Sequence, residues 1–278
     1  MTNPGYIDIA GGRIYYEAGG KGAPVVLLHA GFVDSRMWDD QWDALSRRYS
    51  VIRFDMLGFG KSDREEKPVS RRQELYQVLE QTGIERATLM GCSMGGETIL
   101  DFALEHPDRV AGLVVVSAAP GGFEMQGEPP QYLMEMLGAV EQGDLALASE
   151  LQMRIWVDGP FRQPEQVDPL VRERAAEMNR VALAKGTWGL TMAPPPDPLD
   201  PPAIQRLGQI HVPTLVVAGG LDNPEILRAA GEMAGAIPGV RKLILPDCAH
   251  LPNMEKPAEF NQAVLDFLQD AGLGVTNL

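Results

Sequence analysis

Short, largely apolar runs recur along this chain, alternating with stretches of helical spacing, and that alternation restricts the fold more than any other feature. The runs at 24–28, 51–54 and 87–90 are Pro-Val-Val-Leu-Leu, Val-Ile-Arg-Phe and Ala-Thr-Leu-Met, and further ones lie at 112–117, 214–218 and 242–245. A strand apolar on both faces must be covered on both faces, the condition of a parallel sheet flanked by helices. Helical patterns fall between the runs, around 37–48, 73–82 and 97–106, and an amphipathic one at 255–269 closes the chain. The N-terminus differs: 6–9 and 13–17 alternate in polarity and meet at Gly11-Gly12, which predicts a hairpin. The expected fold is α/β, a mostly parallel sheet with helices on both faces.

One region interrupts the alternation. From 121 to 208 no strand pattern is evident, but three helical ones are: Leu133, Met136, Leu137 and Val140; Leu147, Leu151 and Ile155; Val171, Ala175, Met178 and Ala182. A proline-rich stretch at 193–202 then leads back to the next apolar run, and prolines at that density exclude helix and central strand. The organisation read from this is a core in two parts, 1–120 and 209–278, with a helical cap inserted at 121–208.

The 278 residues are 45% hydrophobic and 22% charged, enough for a sizeable core. A net charge of −14 argues against nucleic acid or an anionic membrane as partner. Cys92 and Cys248 are the only cysteines, and they fit neither a disulfide framework nor a metal-ligand spacing. The N-terminal residues hold no apolar core of signal-peptide length, and no run approaches a membrane span. The expectation is a soluble, cytoplasmic protein. No phosphate loop, metal cluster or dinucleotide fingerprint is present, so no cofactor is implied.

Chemistry concentrates at Gly91-Cys92-Ser93-Met94-Gly95-Gly96, between an apolar run and a helical pattern. Glycines two before and two after the serine remove Cβ atoms that would collide in a sharp strand-to-helix turn. The serine is then held in a strained conformation with its hydroxyl exposed, facing a helix N-terminus with its free N–H groups.

On these residues the chain resembles the α/β-hydrolase family over nearly its whole length. Gly91 to Gly95 matches that family's nucleophile elbow. His29-Ala30-Gly31 falls where the family has His-Gly. Asp55-Met56-Leu57-Gly58-Phe59-Gly60-Lys61-Ser62 is similar to its Asp-x-Arg-Gly-x-Gly-x-Ser loop, with Leu57 where arginine is common. The resemblance implies the order serine, acid, histidine. A serine needs a base within reach, and there are four histidines. His106 suits a helix terminus, His211 precedes a strand at the far edge, and His29 suits a structural or pocket-lining role. His250 follows the last strand and is followed by Glu255-Lys256-Pro257, as the family's catalytic histidine is by Glu-x-Pro, so it is taken as the base. Asp222, in Gly219-Gly220-Leu221-Asp222, resembles the family's Gly-x-x-Asp and is taken as the acid. Its competing reading is the N-cap of the helix opened by Pro224; Glu225 is the alternative acid, and Asp247 reads as a turn residue. Met94 and either Gly31 or Phe32 would donate backbone N–H groups to an oxyanion.

Phe32, Trp38, Met125, Arg154 and Trp156 are candidates for contact with substrate. Trp38, with Trp42, also suits the core of the helix they share, and Arg154 also suits a salt bridge. Met125, Met134, Met136, Met153 and Met178 suggest an adaptable apolar cap, or simply packing. The function expected is hydrolysis of a small-molecule carboxylic ester through an acyl-enzyme. Lactone hydrolysis, carbon–carbon hydrolysis, perhydrolysis, acyl transfer and receptor-like binding with little turnover use the same constellation.

Overall fold

Eight strands form one sheet in the order β1-β2-β4-β3-β5-β6-β7-β8. The computed structural model describes residues 3–64, 66–188 and 195–274. Strands β1 (Asn3–Ile9) and β2 (Gly12–Gly20) are the expected hairpin, antiparallel through Ile9↔Gly12, and β2 runs antiparallel to β4 (Ser50–Phe54). From β4 onward every pairing is parallel, through β3 (Pro24–Leu28), β5 (Ala87–Cys92), β6 (Val110–Val116), β7 (Thr214–Gly219) and β8 (Arg241–Leu245).

The period-2 alternation of the strands accounts for the two cores. Val26 and Leu28 pack into one cluster with Leu89, Val115, Ile99 and Phe102, while Val25 and Leu27 pack into the opposite one with Met90, Val114, Val116 and Phe260. On the first face lie α2 (Arg71–Thr82), α3 (Met94–Glu105) and α7 (Pro224–Ala236); on the second lie α1 (Asp39–Ser46) and α8 (Pro257–Asp270). Each helix therefore closes one face of inner parallel strands that expose neither, while the edge strands β1 and β8 stay largely exposed.

Between β6 and β7 the chain leaves the sheet to form α4 (Leu133–Gln142), α5 (Leu145–Gln152) and α6 (Pro169–Ala184). All three match the helical patterns of the sequence. Gly143, with φ 74°, ends α4, and the next residue, Asp144, caps α5 by accepting from the Leu147 N–H at 3.0 Å. Helix α5 runs directly into a wider π-helical turn, Met153–Asp158. Met136, Leu151, Ile155, Leu183 and Trp188 form a core of their own. Polar ties seat this insertion on α1 and on connecting segments beyond the sheet: Arg174–Asp40 at 2.8 Å, Asn179 Nδ2 to the Phe32 carbonyl at 3.0 Å, and Arg162–Glu255 at 2.6 Å. Ala193 and Pro194 of the proline-rich return lie outside the described residues; from 195 to 202 the chain is neither helix nor strand. Among the described residues no helix is long and apolar enough to cross a membrane.

Candidate active site

Only one residue separates β5 from α3, and it is Ser93. Its backbone sits at φ 53°, ψ −117°, a conformation an L-residue occupies only under constraint from its surroundings. The constraint is visible on both sides. A Cβ on Gly91 would lie 2.2 Å from the Gly95 carbonyl oxygen, and one on Gly95 would lie 2.6 Å from that of Leu28. These contacts involve backbone, which cannot swing aside as a side chain would. Gly95→Ala is therefore expected to lower stability by about 3 kcal/mol, read as a fall in urea midpoint at unchanged m-value; a loss under about 0.5 kcal/mol would mean that the turn relaxes freely.

The Ser93 N–H donates to the Val116 carbonyl at 2.9 Å, which fixes the turn against the end of β6. The N–H groups of Met94, Gly31 and Phe32 donate to no described residue. His29, next to that loop, is buried and fully engaged. Its Nδ1 lies 2.8 Å from the Ala30 carbonyl, and its Nε2 accepts from the Met56 N–H at 3.0 Å. Burial lowers its pKa, which keeps the ring neutral in this bracing role.

His250 and Asp222 meet although they lie on different loops. His250 Nδ1 is 2.8 Å from Asp222 Oδ2 and 3.1 Å from Oδ1, both residues being buried. Oδ1 also accepts from the Asn223 N–H at 2.7 Å. The N-cap of α7 is Asn223, not Asp222, so the aspartate is free for the histidine. A Cβ on Gly219 would fall 2.0 Å from the Ala249 carbonyl oxygen, so glycine there lets the histidine loop lie against the end of β7. Glu255 holds that loop from the other side, accepting from the Ala249 N–H at 2.7 Å and from Arg162 at 2.6 Å. Arg162 comes from the insertion, 93 residues away in sequence, and nothing in its local sequence marks it. His250 Nε2 is buried and has no hydrogen-bond partner.

Ser93 and His250 line one cavity of about 640 Å³, along with Gly31, Phe32, Met94, Met125 and Trp156. Phe32 stacks on Trp156 with ring centroids 6.2 Å apart, and Trp156 lies 4.9 Å from the His250 ring. Two of the expected contact residues are elsewhere. Trp38 is fully buried against Phe260 in the core beneath the sheet, because its 3₁₀ turn points inward before α1 starts. Arg154 is held by the Tyr132 hydroxyl at 3.2 Å, Gln163 at 3.0 Å and Asp158 at 3.6 Å, and does not line the cavity. Of the five methionines named above, Met136, Met153 and Met178 are buried packing and Met134 is exposed; Met125 alone of the five lines the cavity. Trp188, Leu133, Ser117 and Glu97 line it without having been singled out in the sequence. Neither cysteine is held as a thiolate: burial pushes Cys248 up to about 12 and raises Cys92 well above its usual value.

Burial, with Asp101 one turn further along α3, raises the Glu97 carboxyl from 4.5 to about 7. An acid whose pKa is raised on folding holds a proton that the unfolded chain has already released between those values. Stability therefore falls as pH rises from 4.5 to 7. Glu97→Gln removes that slope, and the variant should be on the order of 1–2 kcal/mol more stable than the native chain at pH 8, with the gap closing by pH 5. Melting temperatures at the two pH values test this; a gap independent of pH would refute it.

A fold of this topology with such a serine turn defines a class of enzymes, and comparison with known proteins identifies it. Residues 23–257 match the model of the alpha/beta hydrolase fold, and the chain belongs to that family. It is 31% identical over 270 residues to a 2-hydroxy-6-oxononadienedioate/2-hydroxy-6-oxononatrienedioate hydrolase of Klebsiella pneumoniae, covering 93% of this chain and 92% of that one. It is 26% identical over 263 residues to a pimeloyl-[acyl-carrier protein] methyl ester esterase of Yersinia enterocolitica, covering 93% and 98%. Among solved structures it resembles a malate-bound thermophilic esterase from Thermogutta terrifontis, with TM-score 0.74 and 26% identity over 97% of this chain and 99% of the other. The chain is a hydrolase of the alpha/beta fold.

Proposed function

We propose that the protein hydrolyses a small-molecule carboxylic ester through an acyl-enzyme on Ser93. The observation that carries this reading is the Asp222–His250 pair. A carboxylate at 2.8 Å from Nδ1 fixes the proton there and leaves Nε2 as a buried, unpartnered base at the cavity that Ser93 shares. In this reading Nε2 takes the serine proton as Oγ attacks the ester carbonyl. The N–H of Met94 and that of Gly31 or Phe32 hold the oxyanion, and the free N–H groups found at those positions support the assignment. His250 then protonates the departing alcohol, and water deprotonated by the same nitrogen releases the acid. In this reading the insertion at 121–208 acts as a cap, which is supported by Leu133 and Trp156 lining the cavity that Ser93 also lines.

A second reading, hydrolysis of a carbon–carbon bond, is favoured by the dienoate hydrolases among the relatives. A dienoate is an anion, however, and the cavity wall offers it no lysine or arginine among the described residues. Ester cleavage needs no such group. Hydrolysis of p-nitrophenyl acetate and butyrate, with mass spectrometry after a fluorophosphonate probe, tests the first reading. Turnover with a single adduct on Ser93 is expected. No adduct would remove Ser93 as nucleophile, and an adduct without ester turnover, accompanied by loss of dienol absorbance on a 2-hydroxy-6-oxo-dienoate, would favour the second.

A further inference from the structure

The chemistry laid out above leaves one cavity group unused. Glu97 lies four residues beyond Ser93, in the first turn of α3, and its side chain lines the same cavity. It has no hydrogen-bond or ion-pair partner among the described residues. The two other acids of the wall differ from it. Glu225 is bound to Arg228 at 2.6 Å and to the Gln126 N–H at 2.9 Å, and Glu128 is exposed.

A second group in the same cavity is also unpartnered. Ser117, just past the end of β6, is 1% exposed, and its hydroxyl has no hydrogen bond. Its φ of 45° is, with that of Ser93, the only positive value at a non-glycine among the described residues. The cavity wall thus holds an unsatisfied hydroxyl on a strained backbone and an unpaired carboxyl, both costly unless a ligand meets them. The remaining wall is aromatic and apolar, with Phe32, Trp156 and Trp188. It carries no lysine or arginine among the described residues, and the sequence of 189–194 contains none either. An ammonium is attracted by a carboxylate and by the faces of aromatic rings, most strongly where water is displaced, whereas an anion is repelled by both.

We propose that the ester accepted here carries a cationic amino or ammonium group, and that Glu97 is the specificity-determining residue that selects it, with the Ser117 hydroxyl and the aromatic wall completing the subsite. The inference rests on the ester-hydrolase reading for its chemistry, but not for binding of the cation. Other charged groups surround Glu97. Asp101 follows it on α3, itself set among Arg72, Asp197, Glu105 and Arg206, and His250, Glu128 and Glu225 stand on the cavity wall, Glu225 paired with Arg228 outside that wall. Arg72 is tied to Asp197 at 3.0 Å and to Glu105 at 3.4 Å, so it does not neutralise Glu97.

The test compares two butyrate esters of the same shape, that of choline and that of 3,3-dimethylbutan-1-ol, one charged and one neutral. At pH 8 the native enzyme should favour the choline ester in kcat/KM by about tenfold or more, about 1.4 kcal/mol, and Glu97→Gln should bring the ratio close to one. Taking the ratio cancels titrations common to both substrates. In the native enzyme it should fall several-fold from pH 8 to pH 6, as Glu97 takes up a proton, and it should be flat in the variant. A ratio near one in the native enzyme, or a preference that survives Glu97→Gln, overturns the proposal. Binding of choline against 3,3-dimethylbutan-1-ol, followed by tryptophan fluorescence, needs no turnover. Neutral-ester hydrolysis without cation preference would leave the hydrolase reading and remove this one. Choline binding that depends on Glu97, with neither ester cleaved, would do the reverse.

Discussion

Ser93→Ala is expected to reduce kcat/KM on p-nitrophenyl butyrate by about a millionfold, to the level left by binding and oxyanion stabilisation alone. The reasoning is chemical. In the proposed mechanism Ser93 Oγ is the only protein atom that bonds covalently to the acyl carbon, and Cys92 beside it is buried with its thiol held protonated. The fold should survive, because the Ser93 backbone is held by its N–H to Val116 and its carbonyl to the Glu97 N–H, both at 2.9 Å, and neither involves the side chain. Stability within about 0.5 kcal/mol of the native chain is the matching expectation. Activity above about a hundredth of native in a folded variant, far beyond what residual binding supplies, would move the nucleophile to another residue.

The second large effect belongs to Asp222→Asn, expected to cost about 10⁴ in kcat. Asparagine is nearly isosteric and can still accept from the Asn223 N–H, which Asp222 does now at 2.7 Å. Its amide donates toward Nδ1, however, so the imidazole proton moves to Nε2 and the base is lost where it is needed. Circular dichroism of the variant should match the native spectrum. Glu225→Gln provides the control: Glu225 lines the cavity but is engaged by Arg228 and Gln126 rather than by His250. Its cost should stay below about tenfold, since it meets none of the reacting groups. Equal losses in both variants, or near-normal turnover in Asp222→Asn, would take Asp222 out of the mechanism.

How much of this was legible beforehand depended on the range of the interactions. The inner parallel strands were plain because both of their faces are buried, so the apolar run is nearly continuous in the sequence; the edge strand β8, largely exposed, shows it least. The turn at Ser93 was plain because the glycines that mark it lie within five residues, although only the crowding at Gly91 is local and that at Gly95 comes from the backbone of Leu28 and His29. The helices of the insertion were visible from their spacing, but which of their faces met the cavity was not. Trp38 and Arg154 are the cases in point: both side chains suited a pocket by type, and packing against Phe260 and pairing with Asp158 took them away from it.

The sequence by itself determined the alternation of strands and helices, the strained serine between its glycines, and a short choice of histidines and acids. These follow from local sterics and periodicity, which a linear chain displays. Only the tertiary structure decided that Asp222 and His250 touch, that Arg162 and Glu255 steady the loop that carries His250, and that Glu97 and Ser117 share a cavity lined by no lysine or arginine among the described residues. Those relations join residues that lie on separate elements, some of them tens of residues apart. Their energies depend on what is excluded from water around them, and that is settled only when the sheet, its helices and the insertion close on one another.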